Sequence, residues 1–391
     1  MDTRKIVDSP IRRVLFSQSI FHTATSIIAN PVMPLYYRSA GASIAELGII
    51  SMLNSLGYAF FEPTLGTLSD RIGRKKIVVA SLALDSLVIF LYTIFQNVEW
   101  FYLVAFLHAA CAAGYTAPWR ALVADITPIE NRGRNYGAFL SVQSLGRVTG
   151  PFIGGYLAYN YNYLSAFYVS STIMVASTII VTIIYPKVET TKKNPSAPIK
   201  PNPRSILNIR TSIFIASRAL PFFILFYNTI LTITLKENPK FNATTETLGL
   251  MSTTISIVSL AAQYVSGLIL DRIGTVNIIV TGFALDGIGY FGYLIANDLA
   301  QMWLIRLIIG TINPFYNTGM MVAMMELVSR ENYGFAMGLY GLSEDIGGII
   351  GSPLLGTIYD QYGFTISTYF MVLLCLLSAT VVWINMRGHK K

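Results

Sequence analysis

The chain repeats itself at one fixed spacing, and this duplication limits the folds open to it. The segment 66–73 returns as 267–274, each time as glycine, three residues and then Asp-Arg-Ile-Gly. The tripeptide Ala-Leu-Asp that ends at Asp85 returns at Asp286, again 201 positions later. Because separate landmarks keep one spacing in a chain of 391 residues, we predict two similar halves joined head to tail.

The composition places these halves in a membrane. Hydrophobic residues make up 53% of the chain and charged residues 12%, whereas soluble domains have roughly 25% charged residues. Apolar stretches long enough to cross a bilayer recur along the whole length, and one soluble core would not bury so many of them. We predict an all-α integral membrane protein of twelve transmembrane helices in two pseudo-symmetric six-helix bundles. The predicted spans are 14–37, 45–69, 76–96, 100–124, 135–159, 163–185, 211–235, 247–270, 276–296, 300–326, 335–358 and 364–386.

The stretch 186–210 divides the spans into two sets of six. It is rich in proline, lysine and polar residues, which is typical of a flexible linker. The predicted domains are therefore an N-terminal bundle at 1–185, a cytoplasmic linker at 186–210 and a C-terminal bundle at 211–391. Paired halves in a membrane chain favour a transporter that exposes one site to two sides in turn.

Basic residues predict the orientation. Most of the 28 lysines and arginines fall at the termini, in the linker and in the loops that share their side. Since cytoplasmic loops are enriched in basic residues, both termini are expected in the cytoplasm of a cell whose plasma membrane the chain spans. This pattern accounts for the net charge of +8 without a nucleic-acid partner. Cys111 and Cys375 lie within spans without metal-like spacing, so we expect neither a metal nor a cofactor.

A charged motif follows the second span. Gly66 and Asp70 share one helix face, and a glycine there lets another helix approach closely. Gly73 permits a tight turn. Arg74 and the two following lysines are placed to meet lipid headgroups or nearby acids such as Asp125. The simpler interpretation is that the basic residues only set the orientation of the chain in the membrane.

This motif resembles the loop between helices 2 and 3 of the major facilitator superfamily at every position. In that family the loop is a conformational latch on the cytoplasmic side. The resemblance implies a gating role for Gly66, Asp70, Arg71, Gly73 and Arg74. The second copy carries Asp271 and Arg272 but lacks the basic end, so there the implication is weak.

The fifth span carries a glycine motif. Glycines four apart form a flat stripe for close helix contact, and Pro151 removes a backbone hydrogen bond so that the helix can bend. The alternative is that these glycines only allow close helix packing, with no specific function. The pattern is similar to the antiporter motif that marks exporters of the superfamily, and 31–34 resembles part of another motif of its twelve-helix drug/proton antiporters. The whole motif comprises Gly137, Gly146, Gly150, Pro151, Gly154 and Gly155, and the stripe within it is formed by Gly146, Gly150 and Gly154.

Ionisable residues within spans are the candidates for proton coupling and the substrate cavity, because each is unfavourable in lipid unless paired. Glu62 lies about 12 Å deeper than Asp70 along its helix, and the resemblance implies that it faces Glu344 or Asp345 across the halves. Such a carboxylate would carry a proton, and a static buried salt bridge is the alternative. The set comprises Glu62, Glu344, Asp345, Arg147, Arg306, Asp85, Asp286 and Arg120.

Two features qualify this set. The matched pair Asp85 and Asp286 must turn inward, away from lipid. This position is as consistent with a structural role for the two residues as with a role in proton coupling. The superfamily's helix-4 arginine corresponds to Ala105 in the first half, and His108 or Arg120 on the same span are possible substitutes.

The function we predict is secondary active transport, as proton-coupled efflux of small organic or drug-like molecules by alternating access. A proton-coupled importer of a sugar or organic acid is the first alternative, and a non-transporting membrane receptor is the second. The sequence contains no P-loop pattern and no nucleophile–base spacing, so we predict no enzyme activity. The expected partners are a small-molecule substrate, protons and the lipid bilayer, and we expect a monomer.

Overall fold

The computed structural model describes residues 10–126, 132–185, 209–219, 223–328 and 333–386. The regular secondary structure in these ranges is entirely α-helical. The helices are α1 (Pro10–Ile28), α2 (Val32–Ser39), α3 (Ile44–Ile72), α4 (Arg74–Leu91), α5 (Val98–Ile126), α6 (Arg132–Asn160), α7 (Tyr163–Ile184), α8 (Ile209–Ala219), α9 (Phe223–Glu237), α10 (Thr245–Ile273), α11 (Thr275–Ile295), α12 (Leu299–Glu326) and α13 (Tyr333–Met386).

The thirteen described helices correspond to twelve spans, because α1 and α2 share the first span, α8 and α9 share the seventh, and α13 covers the last two. The first predicted span is divided into α1 and α2 at Pro31, which has no backbone N–H to continue the helix. Gly363 divides α13, because its φ of 77° lies in the left-handed region that glycine tolerates. Helices α8 and α9 flank residues 220–222, which lie outside the described ranges. The all-α fold of twelve spans is therefore confirmed, and six described helices also meet stricter length and hydropathy criteria for crossing a membrane.

Polar residues fix several helix starts. Ser43 and Glu46 form a reciprocal capping box at α3, where the Ser43 N–H donates to Glu46 Oε2 at 2.7 Å and the Glu46 N–H donates to Ser43 Oγ at 3.1 Å. Asn162 caps α7 by accepting from the Ser165 N–H at 2.9 Å. These caps satisfy backbone donors that the first turn leaves unpaired.

The chain divides into two compact units. Unit 1 comprises Met1–Ala42, Leu53–Ser196 and Thr244–Thr253, and unit 2 comprises Ser43–Met52, Ala197–Ala243 and Thr254–Lys391. In unit 1, α1 packs against α6 and α7, and α4 packs against α5 and α7. In unit 2, α11 packs against α12 and α13, and α8 and α9 pack against α13. The domain boundaries at 185 and 210 stay a prediction, since 186–208 lies outside the described residues.

The outward faces of these helices are apolar. Ile183 is 74% exposed, Ile288 67% and Ile384 65%, although each is a large aliphatic side chain. Such exposure is expected of helices that face lipid, where apolar side chains have no reason to turn inward. Charged side chains within the spans consequently have to find partners inside each unit.

Candidate functional site

Asp85 forms a buried polar cluster in unit 1. It lies on α4 with no exposed surface. Its Oδ1 is 2.7 Å from Nδ1 of His108 on α5. Tyr115, two turns further along α5, donates its hydroxyl to Oδ2 of Asp85 at 3.2 Å. Both carboxylate oxygens therefore have a partner, and one of these partners is itself titratable.

Asp286 is the matching residue of unit 2, and it is also completely buried. The side-chain amide of Asn313 donates to both of its oxygens, at 3.0 Å and 2.9 Å. Tyr316 hydrogen-bonds to the same carboxylate. Tyr115 and Tyr316 are 201 positions apart, so the carboxylate and its tyrosine belong to the duplication.

The third partner differs between the units. The position matching His108 is Ile309, and the position matching Asn313 is Ala112. An imidazole exchanges a proton near neutral pH, whereas a side-chain amide does not titrate. The Asp85 cluster therefore contains a basic group beside its carboxylate, whereas the Asp286 cluster contains a neutral amide.

Glu62 and Arg120 form an ion pair in unit 1. Arg120 Nη1 on α5 lies 3.1 Å from Glu62 Oε1 on α3. The Arg120 side chain is 54% exposed and that of Glu62 is 29% exposed. Because an exposed ion pair is unfavourable against hydrocarbon, this position indicates a polar surface within the span region.

The other predicted charges lie apart from these clusters. In unit 1, Arg147 of α6 lies near His22 and Tyr58. In unit 2, Arg306 is 9% exposed. Its guanidinium lies near three tyrosines, Tyr227, Tyr290 and Tyr293. Glu344 and Asp345 of α13 are both half-buried. Their predicted encounter with Glu62 stays a prediction.

The charged motif at 66–74 forms the turn between α3 and α4. Gly73 has a φ of 102°, which places it in the left-handed region and makes glycine the suitable residue. Arg74 Nη1 lies 2.9 Å from Asp70 Oδ1, so this arginine pairs within its own loop. Arg71 is exposed, and a Cβ added at Gly66 would lie 3.5 Å from the Ala117 Cβ. The surroundings of Asp125 lie outside the described residues.

The glycine stripe of α6 lies directly against α1. A Cβ added at Gly154 would meet the Ile27 carbonyl oxygen, and one added at Gly150 would meet the Ser26 Cβ. Gly146 similarly faces the backbone of His22. Only hydrogen atoms fit at these positions. Of the other motif residues, Gly155 lies against Gly249 of α10 and Pro151 lies within α6. The surroundings of Gly137 are outside the described part of the chain.

Sequence reasoning missed two polar amide side chains, those of Gln18 and Asn313. Gln18 and His22 lie one turn apart on α1, and among the described residues neither the Gln18 amide nor His22 Nε2 has a hydrogen-bond partner. Asn313 was missed as the partner of Asp286 because attention was given to ionisable residues. The available signal was the same for Gln18 and Asn313, a large polar amide in an otherwise apolar span.

Comparisons with known proteins cover almost the whole chain. The sequence model of the Major Facilitator Superfamily matches residues 14–236 and 213–391. Multidrug resistance protein 2 of Bacillus subtilis (strain 168) is 23% identical over 364 residues, 90% of each chain. Quinolone resistance protein NorA of Staphylococcus aureus (strain COL) is 24% identical over 378 residues, 92% of each chain.

The fold comparison agrees with the sequence comparison. The crystal structure of nucleoside transporter NupG has a TM-score of 0.77 and 14% identity to this chain, covering 98% of it and 99% of NupG. At that identity the likeness concerns the fold alone. The family match and the helical architecture together identify a multi-pass membrane transporter of small molecules rather than an enzyme. The chain belongs to the Major Facilitator Superfamily.

Proposed function

We propose that this chain exports small organic, drug-like molecules in exchange for protons, by alternating access. The observation that carries the proposal is similarity over about nine tenths of the chain to proteins named for multidrug and quinolone resistance. The buried titratable groups of unit 1 are consistent with a proton as the counter-ion.

An aromatic cluster in unit 1 supports amphiphilic substrates. Phe21 contacts Tyr115 and Trp119 edge to face, with ring centroids 4.5 Å and 4.9 Å apart. The buried amide of Gln18 and imidazole of His22 add polar atoms on the same helix as Phe21. Sites for organic ligands typically combine an aromatic lining with a few polar groups that fix orientation. We assign this cluster to substrate contact.

The coupling residues remain those that the sequence nominated. Glu62 is accessible beside Arg120, so it can exchange protons with a water-filled path. Glu344 or Asp345 is the proposed acid of the other half. Arg147 and Arg306 are proposed to bias protonation of these acids through their positive charge.

The cytoplasmic motif is proposed to act as the latch of the cycle. Asp70 and Arg74 hold the α3–α4 turn, and Lys75 Nζ donates to the carbonyl oxygens of Thr182 and Tyr185 at 2.7 Å and 3.2 Å. The turn is thereby attached to the end of α7. We further propose that both termini are cytoplasmic, that the chain lies in the cell membrane and that the monomer is the functional form.

Transport by everted membrane vesicles tests the function. Ethidium serves as an amphiphilic cation and norfloxacin as a quinolone. When the vesicle lumen is acidified, the proposal predicts that both compounds accumulate inside and that collapse of the pH gradient releases them. Vesicles from cells without the protein are the control. Absence of gradient-dependent accumulation, or accumulation of a sugar or organic acid in the opposite orientation, would contradict export.

A further inference from the structure

We infer that Asp85 and His108 form a buried proton-binding pair that carries the coupling proton of the transport cycle. The inference rests on the proposed proton-coupled export. It assigns the proton to a place within unit 1, between helices α4 and α5, and leaves to the more accessible Glu62 the exchange of protons with water. The two atoms that share this proton are Oδ1 of Asp85 and Nδ1 of His108.

The geometry fits a shared proton. The two atoms are 2.7 Å apart, which is within the range of a charge-assisted hydrogen bond. Asp85 has no exposed surface, whereas the His108 side chain is 17% exposed. The carboxylate is thus sealed, and the imidazole is the member of the pair that can reach water.

Charge counting explains why the proton would control conformation. With one proton bound, held on His108, the pair is neutral overall, as imidazolium and carboxylate. After the proton leaves, a single negative charge remains in a buried site, which is strongly unfavourable. Proton release therefore requires α4 and α5 to change their contact or to admit water.

The surroundings contain no competing cation among the described residues that face the pair. Cys111 and Tyr115 come from α5, Tyr92 from the end of α4, and Tyr58 from α3. Helix α7 also packs against α4, and its titratable side chains are tyrosines, Tyr163 and Tyr168. His108 is therefore the basic group placed to neutralise Asp85.

The matching site in unit 2 provides an internal control. Asp286 keeps the buried carboxylate and the tyrosine partner, but Asn313 replaces the imidazole as the close donor. An amide hydrogen-bonds to the carboxylate without taking up a proton in the physiological range. Among the described residues, the imidazole–carboxylate pair that shares a proton is therefore particular to unit 1.

The test is ethidium transport by purified protein in liposomes, in two modes. One mode is uptake driven by a pH gradient, and the other is exchange of ethidium at equal pH, which needs no net proton movement. His108→Gln is expected to lower gradient-driven uptake about tenfold while exchange stays within about twofold of wild type. Asn313→Ser, the matched change in unit 2, is expected to preserve the ratio of the two modes.

Tyr115→Phe is the control for a general loss of structure around Asp85. It removes one hydrogen bond to Asp85 but leaves the imidazole, so its gradient-driven uptake and exchange are expected to fall together or not at all. His108→Gln with full gradient-driven uptake would overturn the inference. Equal loss of both modes would also overturn it, because that result indicates a structural role.

A second readout separates failure of the pair from failure of the proposed function. Proton uptake by the detergent-solubilised protein after a pH jump is measured with a pH-indicator dye in weak buffer. Wild type is expected to take up about one proton more than Asp85→Asn/His108→Gln, which lacks both titratable groups of the pair, whether or not ethidium is transported. Equal uptake by the two proteins would contradict the pair even if wild type exports ethidium.

Discussion

The two buried carboxylates of this transporter are related by duplication but have different partners. Asp85 and Asp286 are both sealed from solvent, and each binds a tyrosine at the equivalent position. A histidine completes the first site and an asparagine completes the second. The carboxylate–tyrosine pair thus behaves as a shared scaffold element that holds neighbouring helices together. We propose that the divergent third residue, His108, lets the first site hold a proton on an imidazole beside the carboxylate.

The largest expected effect is on proton coupling. Asp85→Asn removes the acid of the pair, so ethidium uptake driven by a pH gradient is expected to fall at least about tenfold relative to exchange. Asp286→Asn is expected to lower both modes in the same proportion, because it weakens a fixed hydrogen-bond cluster. Parallel measurement in liposomes checks this difference. Matching losses of coupling in the two variants would remove the functional distinction between the units.

The next effect concerns stability of the glycine contacts. A Cβ at Gly150 would lie 2.8 Å from the Ile27 backbone nitrogen, whereas one at the matching Gly351 would lie 2.7 Å from the Phe223 ring. Backbone cannot move as easily as a side chain, so Gly150→Ala is expected to destabilise the protein by about 1–3 kcal/mol. Gly351→Ala is expected to have the smaller effect. Thermal unfolding in detergent gives the order, and the reverse order would contradict the packing assigned to α1 and α6.

A comparable effect is expected when the fixed cluster of unit 2 loses its acceptor. Asp286→Ala removes the acceptor of both hydrogen bonds, 3.0 Å and 2.9 Å long, that the partly buried amide of Asn313 donates. An unpaired buried donor costs about 1–3 kcal/mol. Asp286→Ala/Asn313→Ala removes both partners and is expected to recover part of this loss in the thermal midpoint. Additive losses in the double variant would show that the two side chains do not interact.

The smallest effect is expected at the cytoplasmic turns. The first turn has an ion pair between Asp70 and Arg74, while the second has a hydrogen bond from Thr275 Oγ1 to Glu326 Oε1 at 2.9 Å. The Asp70 side chain is 60% exposed, so Arg74→Gln is expected to change the free energy of unfolding by less than about 1 kcal/mol. High salt should reduce the difference from wild type, and Thr275→Val should show no such salt dependence. A salt-independent loss on Arg74→Gln would point to packing instead.

Much of the fold could be predicted because membrane crossing imposes long apolar segments. The predicted spans correspond to helices or helix pairs, and the gap between 358 and 364 contains the break at Gly363. The division at Pro31 was not predicted, since prolines are tolerated within transmembrane helices and need not end them. Sequence periodicity alone does not distinguish a kink from a break.

The candidate site was less accessible to sequence reasoning. The inward orientation of Asp85 and Asp286 followed from the unfavourable energy of a charge in lipid, and both are buried in the structure. Their partners could not be predicted, because His108 and Asn313 lie on other helices. No sequence motif indicates how those helices are rotated relative to the carboxylates. Arg74 was expected to meet lipid headgroups or nearby acids such as Asp125, and the structure adds a partner that was not predicted, Asp70, four residues earlier.

The central claim is that the imidazole of His108 changes its protonation during transport. The chain has three histidines, so ¹⁵N-histidine labelling and single replacements assign each imidazole by NMR. The account predicts that His108 is protonated in the resting protein at mildly acidic pH and that its protonated fraction falls when ethidium is added at fixed pH. An imidazole of His108 that keeps one protonation state from about pH 5 to 9, with and without ethidium, would contradict the account.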